Sequence, residues 1–347
     1  MTVAMTAKIA GFNRPGRASW GGACREPSGP DGVVSRVMVG PSYPLDARKV
    51  NRHDGCMTGQ GDFGRLRRVL LRHVRDAWAS DALIDATWRA LNYTARPDRK
   101  SAVAEYDRFV RILEDRGVAV ELLPREEGLS LDAIYMRDAA VACDRGIILC
   151  SMGKEARRSE PAAIERLARG LDLSVLGRIV GTGLLEGGDV AWLSERTVAV
   201  GRGRRTNAEG IRQLRELLGD CVDEVIEIAL PEVDAAGDVF HLMSIFSPLD
   251  RDLALVYPRL MPPALRDALK AYRIASVEVP DAEFDTMGCN VLALAPRVCL
   301  MLEGNPLTRA RLTAAGAEVI EYAGREISLK GCGGPTCLTR PIARDNA

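Results

Sequence analysis

Histidine is scarce in this chain: three occur in 347 residues, and His241 is the only one beyond residue 73. The histidines are not paired at ligand spacing and no CxxC motif occurs, which speaks against a zinc site. The nine cysteines are odd in number and irregularly spaced, a poor fit to a disulfide framework and a better one to a reducing cytoplasm. Cys143, Cys150 and Cys299 lie in apolar, strand-like runs, where a thiol behaves as a small hydrophobe. Net charge is also missing. Lys and Arg number 47, as do Asp and Glu, so nothing global attracts nucleic acid or an anionic membrane. No apolar run approaches the roughly 20 residues that a membrane span needs. What is present is an ordinary globular composition, 47% hydrophobic and 27% charged, enough for one large domain or two small ones.

The first 60 residues differ from the rest. The stretch 11–32 is rich in Gly, Pro, Ser and Arg, has no periodicity, and lacks the apolar core of a signal peptide. Residues 1–60 are therefore expected to be a poorly ordered extension or a draping arm. Residues 61–347 are expected to form a single domain.

From Asp138 onward a pattern recurs about every 50 residues: two short apolar runs, an amphipathic helix, then a third strand. The paired runs are 138–143 with 146–150, 189–193 with 197–200, 244–247 with 253–257, and 290–294 with 298–302. Helices are expected over about 161–170, 207–218, 262–272 and 306–315. Pro262 and Pro306 suit a first helical turn, and Asn207 suits an N-cap. Strands alternating with helices make the class α/β. A fifth unit closes across the termini. Residues 336–339 would supply its first strand, 66–72 its second, a helix near 103–117 the crossover, and 118–123 its third strand. Closure leaves the ring no open edge.

The repeat also organises the chemistry. Asp138, Glu186 and Asp189, His241 and Cys337 each fall at or just before the first strand of a unit. Five units around a pseudo-fivefold axis would bring them together. A cysteine after the flexible turn Gly331-Cys-Gly-Gly-Pro, one histidine and a carboxylate are the minimum kit for thiol nucleophilic catalysis.

Five motifs carry a resemblance over residues 61–347. They are Met136-Arg-Asp138, Glu186-Gly-Gly-Asp189, Arg205-Thr-Asn207, His241-Leu-Met-Ser244 and Gly333-Gly-Pro-Thr-Cys337. In this order and spacing the chain resembles the guanidino-group-modifying enzymes: arginine deiminase, dimethylarginine dimethylaminohydrolase and the amidinotransferases. The resemblance implies a five-bladed α/β propeller, the pentein fold, of ββαβ units. It implies a cysteine hydrolase that turns arginine or an Nω-substituted arginine into citrulline through a covalent thiouronium. The alternatives are an amidinotransferase, or a silent propeller that binds a cationic ligand or a protein. By motif match Cys337 would be the nucleophile, His241 the general acid/base and Glu186 its orienting carboxylate. Asp138 and Asp132 would grip the guanidinium, with Asp189 beside them. Arg205, and Arg157 or Arg158, would bind the substrate carboxylate. No metal or organic cofactor is implied, the partner is a small guanidino compound, and a homodimer is left open. One position departs from the deiminase pattern. Met243 stands where those enzymes carry an acid, which suggests an apolar contact suited to a substituted guanidinium nitrogen.

Overall fold

The computed structural model describes residues 57–232 and 240–346. Most of the expected extension therefore lies outside the described residues. Its last four residues do not behave as an extension. Met57–Thr58 form a strand paired with Asp345 and Arg344, and Gln60 Nε2 donates to the carbonyls of Glu195 (2.6 Å) and Cys221 (2.8 Å).

Four units repeat one plan. In each, a first strand runs antiparallel to a second, a helix crosses over, and a third strand returns parallel to the second. Parallel neighbours require such a crossover, because a tight hairpin can join only antiparallel strands. The first and second strands are Ala140–Cys143 and Gly146–Leu149, Val190–Ser194 and Thr197–Arg202, Phe246–Asp250 and Leu253–Val256, and Leu292–Ala295 and Val298–Leu302. The helices Glu160–Gly170, Ala208–Leu218, Pro263–Ala271 and Pro306–Ala314 fall within a residue or two of their expected bounds. Asn207 caps its helix by accepting the Gly210 N–H at 2.8 Å. On that helix Ile211, Leu214 and Leu218 are buried, a stripe at the 3.6-residue period.

The fifth unit closes as expected, with two differences. Its first strand is Arg340–Asp345, paired with Leu66–Leu71, which in turn runs parallel to Ala119–Leu122. Residues 336–339, expected to be that strand, lie instead in and just after a short helical turn, Pro335–Leu338. Pro335 explains this: its fixed φ suits the first position of a helix and offers no N–H to a ladder. The crossover also carries two extra short helices, Val74–Ala77 and Asp81–Thr87, before the long helix Arg99–Asp115. The chain is thus an α/β propeller of five small sheets. The starts of its first strands lie toward one end of the ring. No described helix is long and apolar enough to cross a membrane.

Candidate active site

A cavity of about 420 Å³ opens where the first strands begin. Asp132, Asp138, Arg157, His241 and Cys337 line it, together with Lys154, Tyr135, Ser244 and Asn290. A single local geometry explains which residues face it. Short 3-10 turns at Leu131–Ile134, Glu155–Arg157, Gly187–Asp189 and Leu242–Ser244 feed the site. In a 3-10 turn residues i and i+3 eclipse. Asp132 and Tyr135, Lys154 and Arg157, and His241 and Ser244 are pairs of that kind, and both members of each line the cavity.

His241 stands on the second layer formed by Glu186 and Asp189. Its Nε2 lies 2.9 Å from Glu186 Oε2, and its Nδ1 lies 3.8 Å from Asp138 Oδ1. Glu186 is completely buried and also accepts the Gly153 N–H (2.9 Å) and Arg205 Nη1 (3.1 Å). Asp189 accepts the Leu242 N–H at 2.9 Å and the Thr206 hydroxyl at 2.6 Å, so it fixes the turn beside His241. Gly188 is required here by close approach. A Cβ would lie 2.6 Å from His241 Nδ1 and 2.7 Å from Asp138 Oδ1.

Cys337 is half-buried on its helical turn. Asn290 Nδ2 donates to its Sγ at 3.3 Å, while Asn290 Oδ1 accepts the N–H (3.0 Å) and hydroxyl (2.8 Å) of Thr336. The preceding glycines permit this contact: a Cβ on Gly334 would lie 2.4 Å from Asn290 Oδ1, and one on Gly333 2.3 Å from the Tyr135 ring.

The charges are shared out closely. Asp138 Oδ2 accepts Arg157 Nη1 at 2.6 Å, and its Oδ1 accepts the Gly188 N–H at 3.1 Å. Asp132 Oδ2 accepts Lys154 Nζ at 2.5 Å, and Lys154 also donates to the Leu91 carbonyl at 3.0 Å. Arg157 is buried and grips Glu160 with two nitrogens at 2.8 Å while donating to the Tyr135 carbonyl at 2.9 Å. Four of its five N–H groups are used within the protein. Arg157 therefore acts as the clamp on Asp138 and not as the open carboxylate ligand expected for it. Arg158 is exposed and does not line the cavity. Arg205 lines a neighbouring cavity of about 330 Å³. Met243 is buried and does not line the cavity, because the turn that eclipses His241 with Ser244 carries Met243 away from it.

These neighbours set the proton affinities. Burial pulls the imidazolium of His241 down, but the charges of Asp138, Asp189 and Glu186 outweigh it and carry the group up to about 9. Burial pushes Glu186 up, yet the bond and charge of His241 hold it below the ordinary carboxylate range. Burial raises Asp189 to about 6. Cys337 is raised by burial and then by the Asp138 charge, against the lowering bonds from Asn290 and Thr336. The resting pair at neutral pH is thus a thiol and an imidazolium. A stability consequence follows from linkage. His241 binds its proton more tightly when folded, so its contribution is complete below the unfolded value of about 6.5. It is lost as pH rises through about 9. Denaturant midpoints should fall between those values in the native protein, and His241→Gln should flatten that slope.

Asp138, Glu186 and His241 present ligand atoms within 4.8 Å of one another, a spacing that would admit a metal ion. Both carboxylates already accept cationic or N–H donors, so the arrangement is satisfied as a carboxylate–imidazolium pair.

Known proteins can be set beside this geometry. The family model described as N,N dimethylarginine dimethylhydrolase, eukaryotic, matches residues 77–344. The chain belongs to that family. It is a member of the guanidino-modifying superfamily and carries the fold of its hydrolases. Among curated relatives, YkgA of Bacillus subtilis is 31% identical over 245 residues, 71% of this chain and 81% of that protein. An arginine deiminase of Rhodococcus opacus is 34% identical over 194 residues. That match spans 47% of either chain, so this chain covers about half of the deiminase. Among solved structures, the dimethylarginine dimethylaminohydrolase of Pseudomonas aeruginosa, as a mutant complexed with citrulline, superposes with a TM-score of 0.63 at 23% identity. It covers 80% of this chain and 99% of that one. AgrE in complex with ornithine and NAD+ gives 0.67 at 20% identity, over 82% of this chain and 40% of that one. At these identities the likeness establishes the fold, a five-bladed propeller.

Asn290 and Lys154 were not singled out from the sequence. A signal for Asn290 existed. Asp138, Asp189, His241, Asn290 and Cys337 lie 51, 52, 49 and 47 residues apart, so Asn290 occupies the fourth unit's equivalent position. Lys154 carried no such mark.

Proposed function

We propose that this protein hydrolyses the guanidino group of arginine or an Nω-substituted arginine through a covalent thiouronium on Cys337, releasing ammonia or an amine and a ureido product. The observation that carries the reading is that Cys337, His241 backed by Glu186, and Asp132 and Asp138 all serve one cavity. Asp138 and Asp132 each keep lone pairs beyond their bonds to Arg157 and Lys154. They can orient the planar guanidinium, whose resonance makes its carbon a poor electrophile. The substrate's positive charge opposes the effects that raise the thiol, so Cys337 ionises as substrate binds and its proton leaves to solvent. Sγ attacks the guanidinium carbon. The C–N bond breaks as His241 Nδ1 protonates the departing amine. The now neutral imidazole takes a proton from water, and the hydroxide adds to the thiouronium carbon. The C–S bond breaks with Sγ leaving as thiolate, which regains a proton as the added hydroxyl loses one to give the neutral ureido product.

Lys154 lines the cavity, is less buried than Arg157 and keeps one N–H beyond its bonds to Asp132 and Leu91, and it takes the carboxylate of the substrate in this reading. The test is a screen for ureido product over arginine, methylated arginines and agmatine, with and without added amine acceptors. Arginine-type substrates should give ureido product independently of acceptor. Lys154→Met should lower kcat/KM for arginine-type substrates tenfold or more while leaving or improving that for agmatine, which lacks the carboxylate. Product formed only with an acceptor would make the enzyme an amidinotransferase.

A further inference from the structure

A second cluster lies in the bore of the propeller, away from the thiol cavity. Arg137, Arg340 and Arg344 are 1%, 4% and 1% exposed, and they surround Asp62, which is 4% exposed. Asp62 Oδ1 accepts Arg137 Nη1 at 3.0 Å, and its Oδ2 accepts the Trp192 N–H at 2.8 Å. The other bonds of the cluster run to backbone carbonyls. Arg137 Nε donates to Thr336 (3.1 Å), Arg340 Nη1 to Ala140 (2.7 Å), and Arg344 Nη1 to Gly64 (2.6 Å) and Ala293 (2.8 Å). Four guanidinium nitrogens remain buried without an acceptor among the described residues: Arg137 Nη2, Arg340 Nε, and Arg344 Nε and Nη2.

The charge does not balance. Three cations share one carboxylate, and the next acid to act on Arg340, Asp138, is already held by Arg157. Burial and the neighbouring Arg137 push Arg340 down to about 9, and burial pushes Arg344 down to about 10. Water can satisfy an N–H donor but cannot offset a buried excess of positive charge, and uncompensated buried charge is strongly destabilising. An anion accepting charge-assisted bonds from several guanidinium groups would answer both the charge and the orphaned donors. A cleft of about 540 Å³ opens at the opposite end of the first strands, and Gly61 and Asp345, the chain neighbours of Asp62 and Arg344, line it.

We infer that Arg137, Arg340 and Arg344 form an internal binding site for a small monovalent inorganic anion of halide size. Arg137 links this site to the nucleophile's turn, since its N–H donates to the Cys337 carbonyl at 3.1 Å and its Nε to the Thr336 carbonyl.

The test needs no turnover, so its outcome is independent of the function proposed above. The full chain is exchanged into sodium gluconate, and chloride replaces gluconate at constant ionic strength. The unfolding midpoint should rise along a saturation curve, as for any ligand that binds only the native state. Arg344→Met should abolish the saturable rise. Asp62→Asn, which removes the competing carboxylate, should lower the half-saturating chloride concentration several-fold. Crystals of the unaltered protein grown in bromide should show an anomalous peak touching at least two of the three guanidinium groups, and this arm decides if a variant fails to fold. A midpoint indifferent to the exchange, or a bromide map with no peak among these arginines, overturns the proposal.

Discussion

Cys337→Ser removes turnover while the protein still folds. The side chain sits on a turn whose backbone is fixed by Asn290, Arg137 and the Gly334 carbonyl, none of which depends on sulfur. The hydroxyl can accept the Asn290 N–H in place of Sγ, so the fold loses little. The chemistry loses its nucleophile, because a serine hydroxyl does not ionise near neutral pH and His241 is held as the imidazolium, already protonated. A loss of at least about 10³-fold in kcat is expected, on the order of 4 kcal/mol in the barrier. The unfolding midpoint, measured alongside, should stay within about 1 kcal/mol of the native value. Native-like activity in this variant would rule out covalent thiol catalysis.

Glu186→Gln should be nearly as damaging to rate and more damaging to stability. Gln keeps the shape but loses one of the charges that, after Asp138 and Asp189, raise His241, and the charge that Arg205 pairs with at 3.1 Å. General acid–base catalysis is worth about 10²–10⁴-fold, and most of it should go, since the leaving amine would no longer meet a reliably protonated acid. The falling limb of the pH–rate profile should move to lower pH, because His241 loses one of the charges that raise it. Removing one partner of a buried ion pair costs about 3–5 kcal/mol. A purely structural role for Glu186 would lower the denaturant midpoint without moving the pH profile, so the two readouts together separate the roles.

Much of the ring was legible because each unit announces itself with two apolar runs and a helix. The thiol, the imidazole and the carboxylates occupy the same phase of that repeat, so their convergence could be read from spacing. Turn geometry was the part that the sequence did not carry. The phase of the repeat puts the first strand of the closing unit at residues 336–339, whereas Pro335 starts a helical turn there and the strand begins at Arg340. A linear motif does not say which way a 3-10 turn faces, so it cannot tell Arg157 from Arg158 or say whether Met243 faces the cavity. Once that turn is known, the three-residue eclipse selects Arg157 with Lys154 and Ser244 with His241. Arg157 pairs with Glu160 at i,i+3, and that pair holds its guanidinium against Asp138. The bore cluster was not legible, since Asp62, Arg137, Arg340 and Arg344 meet only when the ring closes.

The most direct measurement on the central claim is intact-protein and peptide mass spectrometry of enzyme quenched in acid during steady-state turnover of its best arginine-type substrate. The account predicts an adduct on the peptide that carries Cys337, with the mass of the substrate less that of the released amine, and its disappearance once substrate is exhausted. Turnover at full rate with Cys337 unmodified at every quench time, and equally fast turnover by Cys337→Ser, would contradict it.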